Sequence, residues 1–107
     1  MAEPIILRAQ LRGEVTDIKI LISHPMETGQ RKDAEGNAIP AHFIQQVTVT
    51  LNGKTLLTTQ WGTAIARNPF LGLRTTAAKL GDKIAVTWTD TKGEQRTDET
   101  TVTAAPV

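Results

Sequence analysis

Two histidines, His24 and His42, are the residues of this 107-residue chain best suited to binding a metal. They flank a long polar stretch and would approach each other if the strands on either side of it lie close together. A zinc site takes about three or four ligands, so a carboxylate such as Glu27 or Asp33 would have to join them. Histidine pairs without further ligands are more often structural and hydrogen-bonded. We therefore predict neither a metal site nor a cofactor.

Nucleophilic catalysis has no good candidate in the sequence. Ser23 stands next to His24, but neighbouring residues of a strand point to opposite faces, so the pair cannot act as a dyad. The acidic pair Asp98 and Glu99 falls on a predicted strand and is separated for the same reason. The chain contains no cysteine, which excludes a thiolate nucleophile and a disulfide. We predict that the chain has no catalytic residue and is not an enzyme.

The charges of the chain argue against nucleic acid as a partner. Twelve basic and eleven acidic residues give a net charge of +1, and no basic run is longer than Arg31-Lys32. Binding to a phosphate backbone requires clustered Lys and Arg. The first residues have an acidic side chain and an apolar run of only three residues. They predict neither a signal peptide nor a membrane span, which taken alone favours the cytoplasm.

Alternation of apolar and polar residues is the dominant pattern and predicts strands. Turn residues separate the strands, and 17 threonines favour pleated, half-solvated structure over helices. The predicted strands are 4–12, 15–23, 42–51, 54–61, 70–75, 83–90 and 95–103. About seven short antiparallel strands indicate a single all-β domain, 1–107, with the architecture of an immunoglobulin-like β-sandwich.

The period of two also assigns side chains to faces of these strands. Ile6 and Leu21 fall opposite the main apolar rows of the first and second strands. In the third strand, Phe43 shares a face with Val47, which leaves Ile44 on the other face. The sequence therefore predicts that Phe43 points inward and Ile44 outward.

Two local features of the backbone are expected. Asn52 and Gly53 accept the positive φ angles of a type I′ turn, so they predict a tight hairpin between the third and fourth strands. Val15 is out of phase with Ile18, which suggests a bulge near residues 14–16.

The longest connection, residues 25–40, is unusually long for a compact domain. Residues 33–37 resemble a turn that would fold 30–32 back toward 38–41 as a hairpin extension. Two interpretations of this extension are equally supported. It is either an ornament whose Met26 plugs one end of the sandwich, or a surface that binds another protein.

The two tryptophans have different expected roles. Trp88 shares a face with Ile84 and Val86 and is expected in the core. Trp61 ends a strand before Gly62, where a position at the rim of the core is plausible, although the core itself is favoured by its size. The candidate partner-binding residues are His24, Met26, Ile39, Phe43 and Trp61.

Several ordered motifs resemble one known family. The string SHPMETGQRKDAEGNAIPAHFIQQVTVTLNGK, positions 23–54, is similar to the signature region of the SoxZ family of the bacterial sulfur-oxidation (Sox) system. The similarity continues through Gln60-Trp61-Gly62, Asn68-Pro69-Phe70, Gly81-Asp82-Lys83, Thr87-Trp88 and 95–99. It covers essentially the whole chain, and the ordered set HPMETG, IPAHFI, LNGK and NPF is much more specific than any one short motif.

The resemblance implies an immunoglobulin-like sandwich without catalytic residues that forms a heterodimer with SoxY. SoxY carries sulfur intermediates covalently on a C-terminal cysteine, and the heterodimer presents them to the Sox enzymes through transient contacts during thiosulfate oxidation. The resemblance also implies a periplasmic location reached by co-export with SoxY. One sheet face is expected to form the SoxY interface, and without SoxY that surface could support a homodimer.

Two other classes of function are weaker alternatives. An immunoglobulin-like protein- or carbohydrate-binding module unrelated to sulfur metabolism would share the fold, but carbohydrate surfaces usually need more aromatic residues than the four present. A small metal or redox enzyme at His24 and His42 would need bound metal and activity without a partner.

Overall fold

Eight β-strands make up the regular structure of residues 2–106, the part of the chain that this computed structural model describes. The strands are β1 (Ile6–Arg12), β2 (Val15–Leu21), β3 (Ile44–Leu51), β4 (Lys54–Gln60), β5 (Phe70–Thr75), β6 (Lys83–Asp90), β7 (Gln95–Thr101) and β8 (Thr103–Ala104). Within this range no helix is long and apolar enough to cross a membrane.

The strands form two four-stranded sheets that face each other. Sheet I has the order β5-β2-β1-β8, and sheet II has the order β4-β3-β6-β7. Neighbouring strands are antiparallel except β8, which runs parallel to β1. The first, second and fifth strands thus lie opposite the third, fourth, sixth and seventh. The predicted all-β, immunoglobulin-like sandwich is confirmed.

The eighth strand was not expected from the sequence, which predicted one strand over 95–103. The chain leaves sheet II after Thr101 and pairs Thr103 with Gln10 of sheet I. Between them Val102 is buried, and its N–H donates to the carbonyl of Asp82 at 2.8 Å. The burial of Val102 between the sheets divides the predicted strand in two.

Alternating side chains from both sheets fill the core. The fully buried ones with the largest volumes include Trp88, Ile18, Ile20, Ile22, Ile44, Ile84, Val47, Val49 and Val86. Removing one such aliphatic side chain from water contributes about 1.5–3 kcal/mol. The core position expected for Trp88 is confirmed, and Trp61 is half-buried and packs against the core.

The bulge predicted near residues 14–16 is wrong. The antiparallel register of β1 and β2 continues without a shift to the pair Arg12 and Val15. Val15 points outward and is exposed, while Thr16 is buried beside Ile18 on the inward side. A buried threonine therefore occupies the position that the sequence pattern led us to assign to an apolar residue.

One irregularity instead lies at the start of β3, and a second lies where the register of β3 with β4 shifts between Val49 and Thr50. The register with β6 shifts between Ile44 and Gln46, which places one extra residue in β3. Because of this shift Ile44 is fully buried, whereas Phe43 is only half-buried. The outward position predicted for Ile44 was wrong for that reason, while Phe43 packs against the core from a half-buried position. The hairpin after β3 is as predicted, since Asn52 and Gly53 have φ angles of 49° and 86°.

Candidate functional site

His24, His42 and Asp90 meet at one end of the sandwich. The imidazole centroids are 4.6 Å apart, which confirms that the two histidines approach each other. The Nε2 atoms of His24 and His42 lie 3.0 Å and 2.6 Å from the same oxygen, Oδ2 of Asp90. The carboxylate that joins the histidines is therefore Asp90, and not Glu27 or Asp33 as the sequence suggested.

The three residues come from the ends of three strands. His24 follows β2, His42 precedes β3, and Asp90 is the last residue of β6. Pairing of β3 with β6 places Ile44 opposite Asp90, so His42 lies near the carboxylate. Asn68 holds His24 in place, because its Oδ1 accepts the His24 N–H and its own N–H donates to the His24 carbonyl, both at 3.0 Å.

Each oxygen of the Asp90 carboxylate accepts two hydrogen bonds. Its Oδ1 accepts the N–H groups of Lys92 and Glu94 at 3.0 and 2.9 Å, while Oδ2 accepts both imidazoles. Burial would raise the pKa of Asp90, but the hydrogen bonds from His24, His42 and the two N–H groups outweigh it and lower the pKa. The side chain is thus an ionised, fully buried acceptor.

The same hydrogen bonds decide how well the cluster suits a metal ion. One potential ligand atom from each residue lies within 4.8 Å of the others, which is a spacing that a metal could bridge. However, Nδ1 of His24 accepts the N–H of Met26 at 3.1 Å, so the proton of this neutral ring is on Nε2. That proton is donated to Asp90. Metal ligation through Nε2, which faces Asp90 and His42, would replace the bond to Asp90 and move the ring proton to Nδ1, where it would break the bond from Met26. The cluster therefore fits a structural role better.

The cluster also lacks a group that it could activate for catalysis. His42 is the most exposed of the three, with 19% of its side chain accessible, and it borders a cavity of about 510 Å³. Across residues 2–106 no hydroxyl or amine side chain is hydrogen-bonded to either imidazole. A nucleophile paired with a histidine base is therefore not assembled here.

A two-stranded ribbon, residues 27–42, projects from this end of the sandwich. Glu27 and His42 exchange two backbone hydrogen bonds at its base, of 2.7 and 2.9 Å. Further out, the Ile39 N–H donates to the carbonyl of Arg31, and Asp33 caps the tip by accepting two N–H groups. The hairpin extension predicted from the turn at 33–37 is confirmed.

Met26 closes the end of the core beneath the ribbon. It is buried, has a φ of 49°, and its Sδ accepts the N–H of Ile44 at 3.3 Å. A polarisable, flexible side chain suits such an irregular position. Of the two interpretations of this segment, the plug is correct for Met26, while the role of the exposed ribbon is a separate question.

The five predicted partner-binding residues are not equally accessible. Ile39, Phe43 and Trp61 are half-buried and lie near this end or at the rim, whereas His24 and Met26 are buried inside it. Contact of these residues with a partner stays a prediction. His24 and Met26 would contribute to a partner surface only indirectly, by fixing the conformation at the base of the ribbon.

Asp98 joins the first residues of the chain to sheet II. Its Oδ2 accepts the Ile5 N–H at 2.9 Å and the Nε–H of Arg96 at 2.8 Å. The Arg96 guanidinium, together with the Ile5 N–H, lowers the pKa of Asp98. Glu99, its neighbour, is exposed and approaches Lys83, so the two carboxylates point apart as expected.

Asp90 and Asn68 are the site residues that the sequence analysis missed. The run Asp90-Thr91-Lys92-Gly93 has the composition of a turn and separates the predicted strands 83–90 and 95–103, and an aspartate at the start of a turn commonly accepts the N–H groups that follow. That signal predicts the bonds to Lys92 and Glu94. The same signal does not predict the bonds from the two histidines, because these residues are brought to Asp90 only by the pairing of the strands.

Comparisons with known proteins agree with the fold and the sequence motifs. Residues 5–101 match the profile of a family described as "Sulphur oxidation protein SoxZ". No curated protein matches the sequence.

Two solved structures share the fold. A superoxide reductase from Nanoarchaeum equitans has a TM-score of 0.65 and 16% identity, with 94% of this chain and 92% of that chain covered. A superoxide reductase in the oxidised state has a TM-score of 0.64 and 14% identity, with 94% and 87% covered. At these identities the likeness concerns the fold alone.

Proposed function

Because the chain belongs to the SoxZ family, we propose that it is the non-catalytic subunit of a two-protein sulfur carrier and that its permanent partner is SoxY. Family membership, which covers residues 5–101, is the observation that carries this proposal. It gives the chain a role in sulfur oxidation.

The proposal divides the work between the two proteins. SoxY holds the sulfur intermediates covalently on its C-terminal cysteine, and this chain, which has no cysteine, supplies binding surface. A carrier thiol must enter several active sites in turn, so its arm has to be mobile while the body of the complex is recognised. This sandwich enlarges the body of the complex without adding a thiol that would compete for the sulfur.

The geometry of the histidine cluster supports a subunit without catalytic chemistry of its own. Asp90 accepts four hydrogen bonds, and the lone pair of His24 Nδ1 is used by the Met26 N–H. Groups that are fully paired within the fold stabilise it and are not free to take a proton from a substrate. The cluster instead fixes the base of the ribbon.

We assign the transient contacts with the Sox enzymes to the ribbon and to the half-buried residues Ile39, Phe43 and Trp61. Residues 30–38 of the ribbon are all exposed, and the tip carries mixed charge. Exposed loops on a rigid scaffold are the usual place for recognition. We also place the protein in the periplasm, exported while bound to SoxY, which a fractionation of cells with and without SoxY would test.

The proposal is tested by co-expressing the untagged chain with a tagged SoxY and weighing the purified material by native mass spectrometry. We expect a stable one-to-one complex. A mixture of the two chains refolded separately should give the same mass, which controls for trapping during expression. If tagged SoxY elutes without the chain under both conditions, the proposal is wrong.

A further inference from the structure

Three apolar side chains form a row across the outer face of sheet I. Ile6 of β1 is paired with Leu21 of β2, and Leu21 is paired with Phe70 of β5. Their exposed fractions are 63%, 39% and 62%. They are three of the five large hydrophobic residues that are exposed among residues 2–106. A contiguous exposed apolar row of this kind commonly marks a contact surface.

A row of positive charge lies directly beside the apolar row. Arg8 is paired with Lys19, and Lys19 is paired with Gly72. Within the described part of the chain neither Arg8 nor Lys19 forms an ion pair. The two cations, with Ile6, Leu21 and Phe70, border a shallow groove of about 180 Å³.

Gly72 determines how Phe70 lies on this face. A Cβ added at Gly72 would stand 3.3 Å from the Phe70 ring, so the ring lies over the glycine. The aromatic side chain therefore covers the edge strand β5 and forms one wall of the groove. The opposite wall comes from the side chains of β1.

The face as a whole is strongly basic for a nearly neutral protein. Its strand residues include four cations, Arg8, Arg12, Lys19 and Arg74, and one carboxylate, Asp17. Four positive charges less one negative charge give +3 on this face, whereas the whole chain carries only +1. Asp17 is already paired with Arg74 at 2.7 Å. The charge beside the apolar row is therefore uncompensated.

The outer face of sheet II has a different character. Threonines dominate its central strands β3 and β6, where Thr48, Thr50, Thr87 and Thr89 point outward, and Thr97 of the edge strand β7 lies beside Thr87. The hydroxyls of Thr87 and Thr97 are 2.8 Å apart and satisfy each other. Such a surface is well solvated and gains little from burial.

We infer that the outer face of sheet I, defined by Ile6, Arg8, Lys19, Leu21 and Phe70, is a docking surface for a partner protein. The partner presents an apolar side chain to the groove and flanks it with carboxylates that pair with Arg8 and Lys19. Identifying this partner as SoxY rests on the function proposed above. The surface then forms the permanent interface of the carrier complex.

A second copy of the chain fits this surface poorly. In a two-fold dimer the same patch meets itself, so the uncompensated cations of one copy would be brought close to those of the other. Like charges placed across an interface are costly. An acidic partner removes this repulsion and buries the same apolar row.

The experiment measures the affinity of SoxY for the full chain by calorimetry, at low and at high salt. The two test variants are Phe70→Ser, which removes one wall of the groove, and Arg8→Glu with Lys19→Glu, which reverses the charge beside it. The matched controls are Leu80→Ser, at an exposed leucine in the turn before β6, and Lys54→Glu, at an exposed lysine of sheet II. Thermal unfolding of each variant establishes that it is folded.

We expect Phe70→Ser to weaken binding about tenfold or more, as for a central interface aromatic. The charge reversal should weaken binding at low salt and remove most of its salt dependence, while both controls bind like the wild type. If SoxY does not bind the wild type at all, the proposed function fails.

If the wild type binds SoxY and both test variants bind as tightly as the controls, the docking surface is wrong while the proposed function stands. The same conclusion follows if Phe70→Ser abolishes self-association of the isolated chain without affecting SoxY. Should Phe70→Ser fail to fold, the charge reversal alone decides, since both of its positions are exposed.

Discussion

The Nε2 atom of His42 lies 2.6 Å from Oδ2 of Asp90, although the two residues are 48 positions apart in the chain. His42 is at the base of the ribbon, and Asp90 begins the turn between β6 and β7. One buried carboxylate therefore joins the ribbon, the end of β2 through His24, and this turn. The cluster thereby fixes the positions of these three segments relative to one another.

Replacing Asp90 with asparagine should destabilise the fold. The amide keeps the shape of the side chain but brings N–H groups toward partners that are themselves donors, so buried hydrogen bonds are lost. We expect the free energy of unfolding to fall by about 2–3 kcal/mol in urea denaturation.

Asp33→Asn is the matched control for this variant, because Asp33 also accepts N–H groups of its own turn but is exposed. It should cost about 0.5 kcal/mol or less, as for most surface substitutions. Equal losses for the two variants would contradict a special role of the buried cluster.

Stability should fall at acid pH because of Asp90 and Asp98. Hydrogen bonds lower the pKa of both carboxyls in the folded state below the usual value of 3.8. The unfolded chain therefore binds protons at a higher pH than the folded chain does. The stabilisation is complete above the unfolded value and is lost as the pH falls through the lower folded value.

The measurement is the free energy of unfolding from neutral pH down to about pH 2. We expect these two groups to contribute no change above about pH 5 and an increasing loss below about pH 4. Asp98→Asn should make the acid decline shallower, because one of the carboxyls whose pKa is lowered in the folded state is gone. An equally steep decline in that variant would show that Asp98 is not coupled to folding.

Zinc should not bind tightly at the histidine cluster. Ligation through Nε2 of His24 would replace its bond to Asp90 and would move the ring proton to Nδ1, which leaves the buried Met26 N–H without an acceptor. We expect the protein to retain much less than one equivalent of zinc after dialysis against a small excess, measured by atomic absorption.

His42→Ala serves as the control for the zinc measurement, because it removes the more exposed imidazole. Its zinc content should equal that of the wild type. One equivalent in the wild type, absent from His42→Ala, would contradict the structural interpretation and make the cluster a metal centre.

The sequence predicted most of the fold because the alternation of side chains is strong and local. All seven predicted strands lie within two residues of an observed strand at each end, and 95–103 differs only in that its last residue belongs to β8. The outward positions of Ile6 and Leu21 followed from the same alternation and are confirmed. Their alignment with Phe70 did not follow, because it depends on the register between three strands.

Two of the errors depend on how the strands pair. A bulge changes the face of every residue on one side of it, and the bulge between Ile44 and Gln46 leaves no clear mark in the sequence. The contact of Asp90 with both histidines is similarly invisible, since it is created by the pairing of β3 with β6. Local patterns predict elements well, while contacts across strands require the register.

The ribbon provides the last prediction. Replacing residues 28–41 with Asn-Gly would join Glu27 to His42, which already pair across the base. Residues 28–41 are all exposed or half-buried, so the free energy of unfolding should change by about 1 kcal/mol or less. If the ribbon contacts the Sox enzymes, thiosulfate-dependent turnover of a reconstituted system should fall about tenfold at subsaturating carrier, as expected when an interface contact is removed. Binding to SoxY should not change.

A variant with glycine at residues 34–36 is the control, because it alters the tip and keeps the paired part of the ribbon. It separates a role of the tip from a role of the base. Full turnover by the shortened chain would rule out enzyme recognition through the ribbon. Loss of SoxY binding instead would place the ribbon in the permanent interface and would move that interface away from the outer face of sheet I.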